Sequence, residues 1–181
     1  TRGEEGRQSF LEPVDEHTAP DKEEPLPGPG ECDGVAEAIV IERELNQDTQ
    51  LCAEDSYSLL GSVLVKEGTT LYIEPGTTLN MGDNASFEPG ELVIGRGAWI
   101  EAIGTVEAPI IMTGPSSEDY PGLWGGLVLH GLGPSSQDTA GDPEDSSGTL
   151  QYLKLHNAGA DSSTAEGAAL RLISQGSGTT I

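Results

Sequence analysis

The sequence predicts an all-β solenoid, a parallel β-helix of about five coils, behind a disordered acidic N-terminal segment. Three observations lead there. A unit of the form apolar-x-apolar-x-x-Gly-x-x-apolar recurs from Tyr57 onward. Two of its copies, at Leu71 and Leu92, are displaced by 21 positions, close to one turn of a solenoid whose short strands stack on those of the next turn. Aromatic residues make up only 4% of the 181 residues while glycines number 25, which argues against a helical bundle with a large aromatic core.

Residues 1–34 carry ten acidic side chains, three basic ones and five prolines with almost no apolar periodicity, so they cannot bury enough surface to offset their ordering entropy. Pro27-Gly28-Pro29-Gly30 ends this linker, which either spaces a folded domain from a surface or is simply a solvated tail; residues 35–181 form the domain. Cys32 and Cys52 flank the short apolar run Ala38 to Ile41. With no CxxC spacing and no histidine nearby to suggest zinc, a disulfide is expected over two free thiols; it closes a loop of about 20 residues, worth roughly 3 kcal/mol, and points to export. Ala36 to Leu45 has only a weak helical stripe, and its Val-Ile content favours a strand.

The repeat itself occurs as Val63-x-Val65-x-x-Gly68-x-x-Leu71, as Leu71-x-Ile73-x-x-Gly76-x-x-Leu79 and as Leu92-x-Ile94-x-x-Gly97-x-x-Ile100. Each copy reads as a strand with two or three inward side chains and a glycine able to turn a corner at positive φ. No Asn-Gly or Asp-Gly pair joins the units as a two-residue hairpin would require. Ile110 to Thr113, Leu127 to Leu129, Leu150 to Leu155 and Leu170 to Leu172 continue the short strands, interrupted by loops at 114–121 and 133–148. Allowing for these insertions, residues 57–181 would supply the five coils.

Eight basic residues against 31 acidic ones give a formal net charge of −23, which argues against nucleic acid and against an anionic membrane surface as partners. No apolar stretch is long enough to span a bilayer. The chain begins at Thr1, which is expected of a processed export product or a fragment. It closes on GSGTTI, without the polar cap a terminal coil needs, so an incomplete C-terminal end is expected.

The segments YSLLGSVLVKEGTTLYIEPGTTLNM (57–81), GELVIGRGAWIEAIGTVEAPIIMTG (90–114), GLWGGLVLHG (122–131) and GTLQYLKLHNAG (148–159) resemble a family of exported bacterial right-handed β-helix proteins with the pectate-lyase-like fold. The resemblance covers about two thirds of the chain. It implies a right-handed parallel β-helix at the cell surface, often lipoprotein-like, of unassigned function, with no shared catalytic motif. A lipid-accepting cysteine in a lipobox is not visible here.

Candidate chemistry is sparse. Asp138, Asp142, Glu144 and Asp145 lie in one Gly- and Pro-broken loop and are candidates for wrapping calcium, a cation that takes six to eight oxygen ligands. A weaker acidic group comprises Asp83, Asn84, Glu88 and Glu91. Lys154 and His156 alternate with Leu153 and Leu155 and should face outward from one strand; with His130 and Trp124 they form the candidate glycan face, although packing suits Trp124 better than sugar stacking. Arg96 sits in a Gly-Arg-Gly corner and is expected to be solvated. No catalytic residue is assigned, and no nucleophile elbow or phosphate-binding glycine loop occurs. The expected function is a non-catalytic extracellular scaffold or adhesive module for a polysaccharide or surface matrix, with end-to-end self-association through the open last coil. The alternative is a polysaccharide-binding or polysaccharide-cleaving protein.

Overall fold

The computed structural model describes residues 32, 34–82, 89–114, 121–136, 139–160 and 167–181. The tail expected at residues 1–34 falls outside them except for Cys32 and Gly34. Twelve strands are formed among the described residues, with no helix. They are β1 (Ala38–Leu45), β2 (Thr49–Leu51), β3 (Ser56–Val65), β4 (Thr70–Ile73), β5 (Thr78–Gly82) and β6 (Glu91–Ile94). There follow β7 (Trp99–Ile103), β8 (Ile110–Thr113), β9 (Gly126–His130), β10 (Gly148–Gln151), β11 (Leu153–His156) and β12 (Leu170–Ile173).

Every pairing between these strands is parallel, and the pairings sort them into three stacks. The first stack runs from the leading halves of β1 and β3 through β5 and β8 to β11. The second runs from the trailing halves of β1 and β3 through β6 and β9 to β12. The third is β2, β4, β7 and β10, extended by a bridge from Thr149 to Thr180. Successive visits to the three stacks make five coils of a parallel β-helix. The first coil is β1 with β2, so residues 56–181 supply four coils rather than five.

The repeat has a different meaning from the one its 21-residue displacement suggested. Leu71 to Ile73 belongs to the third stack and pairs with Ile100 to Ala102, whereas Leu92 to Ile94 belongs to the second and pairs with Val63 to Val65. Each copy therefore marks one corner, not one turn. The stacking distance is 22 residues where the coil is bare, as in Tyr57 against Leu79 and Leu51 against Ile73. It grows to 33 between Leu79 and Met112 and to 43 between Met112 and Leu155 as loops are inserted. The corner glycines Gly68, Gly76 and Gly97 take φ of 75°, 89° and 71°, a region costly for side chains with a Cβ.

Alternation along each strand sends every second side chain inward, and the parallel register stacks like on like. Tyr57, Leu79, Met112 and Leu155 form one ladder; Val65, Ile94, Leu129 and Leu172 form another. Leu51, Ile73, Ala102 and Leu150 line the third wall. The centre of this core is sealed, but the last coil is not: β11 and β12 are half-buried to exposed, and an apolar cavity of about 490 Å³ opens between Leu150, Leu153, Leu155, Leu170 and Ile181.

At the other end Cys32 and Cys52 form the expected disulfide, with Cα atoms 5.8 Å apart. Buried Tyr57 supports it: the Cys52 N–H donates to the phenol oxygen at 2.6 Å, and the phenol donates to Asp55 at 2.8 Å. Burial, and then the bond to Asp55, push the Tyr57 phenol up to about 12.

Candidate functional site

Insertions lengthen the coils selectively. The connections 83–90, 114–125 and 157–169 precede β6, β9 and β12, and 131–147 follows β9, so the longest connections between strands join the second stack to its neighbours. Loops raised on a rigid solenoid are where binding groups concentrate.

On the outer face of the second stack, outward positions align across coils. Leu64, Val93, Val128 and Arg171 form one row; Glu91 stands opposite Gly126, and His130 opposite Ile173. The Arg171 guanidinium reaches past coil four to form an ion pair with Glu91. Gly125 makes room for the Glu91 side chain, because a Cβ on it would stand 2.4 Å from the Glu91 Cγ. The pair therefore straps coil three to coil five across 80 residues of sequence. Val128 points outward yet is only 2% exposed.

His130 lies beside this strap. Burial, followed by the charges of Arg171 and Arg96, holds its imidazole below the usual histidine range, so it is neutral at physiological pH. Arg96 is exposed at its corner, as expected. The charges of two arginines and one engaged carboxylate thus act on a neutral histidine in a strongly acidic chain. Such a set can accept a polar or anionic group.

The residues singled out from sequence are not brought to one place. Trp124 is fully buried, forms a bridge with Ala158, and donates its indole N–H to the His156 carbonyl at 2.8 Å. It packs and offers no face to a sugar. Lys154 and His156 are exposed and outward, as their alternation required, but they lie on the first stack, opposite Ile111 and Thr113. His130 is on the second stack, so the expected single glycan face is divided between two.

Of the candidate calcium loop the structure describes Asp142, Glu144 and Asp145. Asp138 lies outside the described residues, as do Asp83, Asn84 and Glu88. Asp142 accepts the Glu144 N–H at 2.9 Å through its side chain and the Asp145 N–H through its carbonyl, so it caps its own turn. Asp145 points one carboxylate oxygen into a buried position without a hydrogen-bond partner. Among the described residues the loop carboxylates do not converge; the sole grouping of metal-capable side chains is Cys32, Cys52 and Glu54, and both sulfurs there are in the disulfide.

Glu91 and Arg171 were within reach of sequence reading as residue types, but not as a pair. The one local signal was Gly125, which leaves room for a neighbour's side chain.

Five coils wound through three parallel stacks define a parallel β-helix. The chain belongs to the pectate-lyase-like beta helix domain family, whose model matches residues 43–181. No curated protein and no solved structure matches it. Among the described residues, no helix is long and apolar enough to cross a membrane.

Proposed function

We propose that this chain is an exported, non-catalytic β-helix scaffold that holds an extended polymer, a polysaccharide or surface matrix, along the outer face of its second stack. The observation that supports the reading is the Glu91–Arg171 strap. It commits the acidic and basic groups of that outer face to holding coils together, and leaves Arg96 and neutral His130 beside it as contacts rather than as an acid/base pair. Export is supported by the disulfide, which persists in oxidising compartments. Self-association belongs to the same proposal, through the exposed Leu172, Ile173 and Ile181.

The test is a panel of polysaccharides incubated with the protein, with and without calcium, scored both for co-sedimentation and for new chain ends. Co-sedimentation without cleavage, weakened by Arg96→Ala, is the expected result. New chain ends would overturn it in favour of a polysaccharide-cleaving enzyme. That second reading draws on one observation, the neutral imidazole of His130 under the charges of two arginines, an arrangement suited to a general base. Cleavage abolished by His130→Ala would establish it.

A further inference from the structure

The third stack carries a separate concavity that the reading above does not use. In the first three coils Gln50, Tyr72 and Glu101 are register partners, so their side chains line up on the outer face about 4.8 Å apart. With Glu74, Pro75 and Ile103 they enclose a pocket of about 240 Å³. Its floor is firm. Tyr72 is outward yet only 6% exposed, which lays its ring down as part of the wall. Glu74 is held in place where its carboxylate accepts the Ala53 N–H at 3.1 Å, beside the disulfide-bonded Cys52.

The pocket contains an unmet demand. The Gln50 side-chain oxygen is buried and has no hydrogen-bond partner. A buried polar atom left unpaired is costly, so a ligand toward which the Gln50 side chain turns recovers that cost in addition to its contacts. A hydroxyl both donates and accepts, and therefore satisfies the amide in either of its orientations. The two carboxylates accept hydroxyl or ammonium protons, and Pro75, Ile103 and the Tyr72 ring offer an apolar surface to C–H groups. Volume, polarity and walls together describe one ring of a sugar. The sign of the charge narrows it further: two glutamates in a chain of net charge −23 repel a uronate and attract an amine.

We propose that this pocket binds one ring of a neutral or amine-bearing glycan, and that it discriminates against uronic acids. Calorimetric titration of the full chain with three probes tests it: a glucosamine oligomer, a glucose oligomer and a galacturonic acid oligomer. The glucosamine oligomer should bind tightest, the glucose oligomer more weakly, and neither should be affected by Arg96→Ala on the second stack. Gln50→Ala should weaken both by roughly tenfold, one lost hydrogen bond. Glu101→Gln should weaken glucosamine binding toward the level of glucose, with Glu74 keeping part of the preference, while leaving glucose unchanged, a split that general unfolding cannot produce. Unchanged melting of both variants confirms that they are folded. The proposal is overturned if neither the glucosamine nor the glucose oligomer binds, if the galacturonic acid oligomer binds as well as they do, or if binding survives Gln50→Ala and Glu101→Gln intact.

Discussion

The first three coils and the last two are built by the same rule and held by different means. In the early coils, strands such as β3 and β4 alternate or are wholly buried, the stacking distance is near 22 residues, and a covalent staple closes the end. In the late coils the distance reaches 48 residues, between Ala102 and Leu150, β11 and β12 are half-buried at best, and the cross-coil tie is an ion pair. A solenoid coil is stabilised by its neighbours, so a coil flanked on both sides carries its ladders sealed while an end coil leaves them half open. The proposed sites follow a similar division, with the pocket in the early coils and the Glu91–Arg171 face running from coil three into the lengthened late ones.

The sharpest way to break this contrast is to truncate equivalent ladder positions. Met112→Ala, in a fully buried rung, should cost about 2–5 kcal/mol, whereas Leu172→Ala, in an exposed rung of the last coil, should cost about 1 kcal/mol or less, both read from urea unfolding. Equal costs would mean that the last coil is as well packed as the centre. Breaking the covalent staple comes next. Cys32→Ser with Cys52→Ser should lower stability by roughly 3 kcal/mol, measured against the reduced wild type as a control that should match it.

Alkaline unfolding probes the same end. The Tyr57 phenol is raised to about 12 from its ordinary value of 10.0, so the unfolded chain ionises first. Stability is fully present below 10 and is lost as pH climbs toward 12, by about 3 kcal/mol. Tyr57→Phe should remove that loss from the curve, at the expense of the acceptor for the Cys52 N–H.

At the late coils, Gly125→Ala should destabilise by about 1–3 kcal/mol, because the new methyl meets the Glu91 Cγ and displaces the strap. Gly68→Ala, at a corner with open space around it, should cost only its positive φ, about 1 kcal/mol. The smallest effect is a pH shift. With its imidazole held low, His130 contributes no penalty above 6.5, and stability falls as pH drops below 6.5 because the unfolded chain takes up the proton first. Arg171→Met removes one opposing charge, so the His130 titration followed by NMR should move upward, while burial keeps it under 6.5.

Much of this architecture is legible locally. Alternating apolar residues in Val63 to Val65 or Leu92 to Ile94 declare strands, the glycines at 68, 76 and 97 declare corners, and the two cysteines declare their pairing. The outward direction of Lys154 and His156 follows from period two alone. These are properties of a few neighbouring residues, set by pleat, φ and reach, and the sequence determines them without reference to the rest of the chain. Which strand lies on which is another matter. The 21-residue displacement was misleading because a corner unit recurs in every stack, while the true register depends on how much chain each insertion removes from the coil. Trp124 reads as a sugar platform or a core residue until its bridge to Ala158 places it inside. Glu91 meets Arg171, and Gln50 lines up with Tyr72 and Glu101, only because hydrogen bonds between coils bring distant positions to within two strand spacings, a long-range condition that no local pattern encodes.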